Sequence, residues 1–139
     1  MFNATLLDTA LEAIRADPER YDPMFPVIRW RRGTHSMTTH SLPGAIITAA
    51  GGRFDWSRYG VSHARGCHKQ WTRWIHADSV PGIGTTNAYS AAAHLLGLNP
   101  GVGRWLFYAE NRTTGAEQIA ERIRRHALDD RTRTGKAQP

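Results

Sequence analysis

Apolar positions recur at helical spacing in five places along this chain. Near the start, Leu6, Leu7, Ala10, Leu11 and Ile14 form one stripe, with Asp8, Glu12 and Arg15 on the opposite side, the pattern of a surface helix with a single buried face. Asn3 is placed to cap it and Asp17-Pro18 to stop it, which predicts a helix over residues 4–16. A second run, Ala45, Ile46, Ile47, Ala49 and Ala50, has Thr39 or Ser41 as its cap, Pro43 in its first turn and Gly51-Gly52 as its end. In the third, Ala88, Ala91, Ala92, Leu95 and Leu96 make a narrow face before Gly97, and both leucines are expected in the core. Asn99-Pro100 opens a short fourth helix with Trp105, Leu106 and Phe107 turned inward. For the fifth, Thr114 and Glu117 have capping-box spacing, and Ala116, Ile119, Ala120, Ile123 and Ala127 form the buried stripe. Arg122, Arg124 and Arg125 fall near its C-terminus, where the helix dipole favours positive charge.

Elsewhere the periodicity fails. Residues 17–26 contain three prolines and read as a wrapping loop, followed by a short strand or extended segment at Val27-Ile28-Arg29-Trp30. Residues 54–84 mix aromatics and histidines with neither a helical nor a strand period. Trp71, Trp74 and Ile75 fit a helical turn or a short strand on the core, and Pro81-Gly82-Ile83-Gly84 fits a turn. The pattern therefore predicts a mainly α single domain over residues 1–128, with about five short helices and an irregular aromatic-rich middle, and a disordered basic tail over 129–139.

At 139 residues the chain is one domain by length, able to bury about two-thirds of its unfolded surface without disulfides or metal. The single cysteine, Cys67, excludes an internal disulfide, and the start lacks a basic region followed by an apolar run. The longest weakly polar stretch, 42–51, is about half of what spans a bilayer. These features lead us to expect a cytoplasmic protein with no membrane partner.

Net charge is +6 and unevenly spread. Residues 1–52 hold five Lys or Arg and five Asp or Glu; 53–112 hold seven and three; 113–139 hold six and four. Within 53–74, Arg53, Arg58, Arg65, Lys69 and Arg73 interleave with Phe54, Trp56, Tyr59, Trp71 and Trp74. Cations that neutralise phosphates beside aromatics that stack bases are the makings of a single-strand platform. Candidate contacts are Arg53, Trp56, Arg58, Arg65, Lys69, Trp71 and Arg73, with Trp30-Arg31-Arg32 as an extension of the patch. The competing account of the tryptophans is core and rim packing.

A second candidate set is His63, Cys67 and His68, with His76, His35 or His40 as a further ligand. His63 and Cys67 would share a helical face, but the paired ligands of a structural zinc site are missing at the second end. The same residues could form a cysteine–histidine nucleophilic pair. Ser41 lacks a Gly-x-Ser-x-Gly elbow, and Gly82-Ile83-Gly84 and Gly101-Val102-Gly103 lack the strand, third glycine or lysine of a phosphate loop. No motif implies a cofactor.

The run Leu7-x-x-Ala10-Leu11-x-x-Ile14-x-Ala16-x-Pro18-Glu19-x-Tyr21-Asp22, with Ala92, His94-Leu95-Leu96-Gly97-Leu98, Trp105-Leu106-Phe107 and Asn111, resembles small proteins of actinobacteria and their phages grouped as a domain of unknown function. Where that family commonly carries Thr-x-x-Cys-x-x-Gly at the start of a helix, this chain has Thr38, Ser41 and Gly44. The resemblance implies a small helical domain in an actinobacterial or phage setting, the host cytoplasm being the expected compartment if it is phage-encoded. Together the signals lead to an expectation of a non-enzymatic accessory protein that binds a host protein or nucleic acid. The alternatives are a nucleic-acid module built on 53–74 and a metal- or cysteine-dependent enzyme built on His63, Cys67 and His68.

Overall fold

The chain's computed structural model describes residues 1–80, 82–108 and 115–137. Helix α1 spans Ala4–Ala16, and its exposed N-terminus is closed by Asn3, whose Oδ1 accepts from the Leu6 N–H at 3.0 Å. Helix α2 spans Leu42–Ala49 with Pro43 in its first turn, and Gly51 follows its end at φ 81°. Helix α3 spans Ala88–Leu95, with the Asn87 side chain accepting from the Ser90 N–H at 2.8 Å. Its alanines let neighbours approach closely. A Cβ on Gly103, the first residue of α4 (Gly103–Tyr108), would stand 2.1 Å from the Tyr89 carbonyl oxygen. Helix α5 spans Ala116–Ala137, past residue 128 where the pattern places the end of the domain.

The helices pack on one another around Leu7, Leu11, Leu42, Ile46, Leu96 and Phe107, with the stripe of α5, Ile119 and Ile123 among it, closing the other side. Leu96 is fully buried, whereas Leu95 is only partly buried against the edge of the core. Trp105 departs from its expected inward position at 61% exposure. A six-residue helix has one inner side, and Leu106 and Phe107 occupy it; Trp105, a step of 100° away, lies instead with its ring 5.8 Å from that of His126. The expected cap Thr114, with Pro81 and Asn111, lies outside the described residues.

The mainly α expectation is corrected by a four-stranded antiparallel sheet, which makes the fold α+β and the description "alpha-helical" wrong. Strand β1 is Val27–Arg32, β2 His35–His40, β3 Tyr59–Ala64 and β4 Cys67–Thr72, arranged β2-β1-β4-β3. Two hairpins thus join along β1 and β4. Each turns on two residues that include a positive-φ glycine, Gly33 at 58° and Gly66 at 67°. The sheet meets the rest of the molecule chiefly where β2 touches α2 and the 3-10 turn Pro18–Arg20, and where β4 touches the turn Trp56–Arg58. Its base is buried through Val27, Ile28, Thr39 and Thr72, and its outer half is solvated. Alternation of apolar and polar residues marks a strand with one face on a core. Here the outer half has no such face, so both sides carry polar and cationic residues and the strands escape a hydrophobic reading.

Candidate nucleic-acid interface

Strand pairing sorts the middle of the chain into two faces, because directly opposed residues share a side. One face holds Trp30 opposite Lys69, Ile28 opposite Trp71 and Gly60 opposite Trp71. The Lys69 ammonium sits 3.8 Å from the Trp30 ring centroid, and the Trp30 indole N–H donates to the Thr39 hydroxyl at 2.9 Å. Trp71 stacks on Phe25 with centroids 4.5 Å apart and planes 8° from parallel, and the Arg73 guanidinium lies 5.4 Å from the Trp71 ring. Gly60 makes this possible, since a Cβ there would meet the Trp71 ring at 1.9 Å. Each such cation–aromatic contact contributes about 0.5–1 kcal/mol where solvent reaches it.

The other face presents Arg29 and Arg31 from β1, flanked by Thr38 and Ser36 of β2 and by Gln70 and His68 of β4. Arg29 lies over the Trp56 ring at 3.8 Å. Farther out, His63 and His68 oppose each other across β3 and β4 with their Nδ1 atoms 3.3 Å apart. At the base of this face His40 is half-buried, and desolvation, with the nearby Arg20 charge second, pushes its imidazole below the usual histidine range.

The predicted contacts are therefore divided rather than united. Lys69, Trp71 and Arg73 share the aromatic face, and Trp56 supports the other through Arg29. Arg58 lies 5.0 Å from the Trp74 ring, Arg65 occupies the turn between β3 and β4, and Arg53 is exposed in the loop before β3. Sequence reasoning missed Phe25, Arg29, Ser36, Thr38 and Gln70. The signal that finds all of these but Phe25 is the two-residue alternation Arg29-x-Arg31, Ser36-x-Thr38 and His68-x-Gln70 on either side of Gly33 and before Trp71.

Of the candidate metal ligands, His63 and His68 come together, whereas Cys67 opposes Ala64 and belongs to the other face. A strand separates neighbours that a helix would have gathered. Among the described residues, no group of three His, Cys, Asp or Glu is arranged to hold a metal ion.

Between Val27 and Trp74 the sequence has eight Lys or Arg residues and one carboxylate, Asp55. That carboxylate is already engaged: it accepts from the Ser57 hydroxyl and from the Ser57 N–H at 3.1 Å, which hold its pKa below the usual aspartate value. Among the described residues Arg29, Arg31, Arg32, Arg58, Arg65, Lys69 and Arg73 make no ion pair. The ion pairs that do form mostly involve α1 and α5, such as Arg124 to Asp8 at 3.1 Å and Arg15 to Glu117 at 2.6 Å. No helix among the described residues is long and apolar enough to cross a membrane. The chain matches no protein-family model, no curated protein and no solved structure.

Proposed function

We propose that this chain is a non-enzymatic binding protein of the cytoplasm whose projecting sheet engages single-stranded nucleic acid. One observation carries the reading: residues 27–74, the stretch that contains the sheet, gather eight Lys or Arg residues against one carboxylate, while the remainder of the chain holds ten against eleven. The positive excess of the molecule is thus local, unpaired and solvated, which is the electrostatic footprint of a polyanion surface. Half-buried tryptophans stand beside these cations: Trp71 is covered by Phe25 and Gly60, whereas Trp30 and Trp56 each carry a cation on one face, leaving the other as a π-face for a base to stack on. An acidic protein partner would satisfy the charge but would not require the tryptophans.

Fluorescence anisotropy with a labelled single-stranded oligonucleotide tests this on the full chain. Affinity should fall with salt by about 0.7 log units per log unit of salt for each phosphate neutralised. Trp56→Ala should weaken binding by about fivefold or more, about 1 kcal/mol, because it removes both a ring on which a base stacks and the support of Arg29. A salt slope without any tryptophan effect would point to attraction by charge alone. No binding at about 50 mM salt, where electrostatic association is strong, would remove the nucleic-acid reading and leave a protein partner.

A further inference from the structure

On the arginine face, strand register builds a grid of two cross-strand rows, Thr38–Arg29–Gln70 and Ser36–Arg31–His68. The rows floor an open concavity of about 510 Å³, and Arg20 reaches its rim from the turn Pro18–Arg20. No carboxylate lines it. Two of its guanidinium groups are held from outside the cavity: Arg29 by the Trp56 ring at 3.8 Å, and Arg20 through Nε at 2.9 Å from Asp17 Oδ2. We infer that this concavity is a phosphate subsite, in which Arg29 and Arg31 grip the phosphate oxygens and the Ser36, Thr38 and Gln70 side chains donate further hydrogen bonds.

The chemistry follows from the donor set. A guanidinium presents paired N–H donors in a fixed fork that matches two oxygens of one phosphate, and anchoring the fork beforehand reduces the entropy lost on binding. The opposite face offers a different surface: Lys69 is laid on Trp30, and Met37 is its neighbour on β2. The inference rests on the sheet being the nucleic-acid surface only for the source of the phosphate. Either a terminal monoester or an internal diester fits the shared chemistry.

Inorganic phosphate is the direct probe, titrated into the full chain while the arginine Nε–H resonances are followed by NMR, with chloride at matched ionic strength as the control. Phosphate should shift the Arg29 and Arg31 signals with saturation and leave Arg122 of α5 unmoved, and Arg31→Gln should abolish the saturation. In anisotropy, Arg31→Gln should weaken oligonucleotide binding at least fivefold more than Lys69→Gln, and the slope of log affinity against log salt should become shallower by about 0.7. A preference for 5′-phosphorylated over 5′-hydroxyl oligonucleotide assigns the subsite to a strand end, and equal affinity assigns it to the internal backbone. Phosphate shifts no larger than those of chloride, or an Arg31→Gln effect equal to that of Lys69→Gln, would overturn the subsite while leaving oligonucleotide binding intact. Saturable phosphate binding without oligonucleotide binding would instead retain the subsite and reject the nucleic-acid surface.

Discussion

Single positions show how local packing decides what a residue does. Leu95 and Leu96 are adjacent in the same predicted stripe, yet only Leu96 is fully enclosed. Leu96→Ala should cost about 2–5 kcal/mol by deleting buried methylene groups and leaving a cavity, whereas Leu95→Ala should cost clearly less. Thermal melts of the two variants check this, and equal losses would contradict the burial difference. Gly60 is a position where absence of a side chain shapes the surface, because Trp71 occupies the space of its missing Cβ. Gly60→Ala should displace Trp71 and change the tryptophan emission spectrum while the helical circular dichroism signal persists. His40 gives a pH dependence. Its folded pKa is lowered, so the unfolded chain binds the proton more readily, and stability is fully present above the unfolded value of about 6.5 and declines as pH falls toward the folded pKa. Denaturant midpoints between pH 7 and 5 should fall less steeply in His40→Gln than in the natural chain.

At the scale of elements, the helices were legible and, of the strands, only the start of β1 at Val27-Ile28-Arg29-Trp30 was, for one physical reason. A helix that buries one stripe must repeat apolar residues every three or four positions, so Leu7, Ala10 and Leu11 announce α1 and Ile119, Ala120 and Ile123 announce α5. The strands of this sheet bury little beyond their base, so Arg29-Trp30-Arg31-Arg32 and His63-Ala64-Arg65-Gly66-Cys67-His68 carry no alternating apolar signal. What remained to be read was turn chemistry: Arg32-Gly33-Thr34-His35 and Ala64-Arg65-Gly66-Cys67 are two-residue hairpin loops containing glycine. The site suffered the same loss. Its aromatic and basic composition was visible, but the register that separates Lys69 from Arg31 and Cys67 from His68 is a property of strand pairing. Gly33 tests the hairpin itself. A side chain at φ 58° costs about 1–2 kcal/mol, so Gly33→Ala should lower Tm by about 2–8 °C and speed amide exchange in β1 and β2 more than in α1.

Across the whole molecule, charge and packing are partitioned. The helices hold the apolar core and pair their charges with one another, as Arg15 does with Glu12 and Glu117 and Arg124 with Asp8 and Glu121. The sheet contributes little to that core and carries the positive excess on a solvated extension. This arrangement lets the sheet vary in charge with little consequence for stability, since exposed and unpaired cations contribute little to folding. The most direct test compares two double variants of the full chain by the salt dependence of oligonucleotide affinity: Arg32→Gln with Arg65→Gln at the sheet turns, and Arg104→Gln with Arg122→Gln on the helices. Both remove two positive charges, so a general effect of net charge would alter them equally. The account predicts a shallower salt slope and weaker binding for the sheet pair, with the helix pair near the natural chain; equal changes, or a larger change in the helix pair, would contradict it.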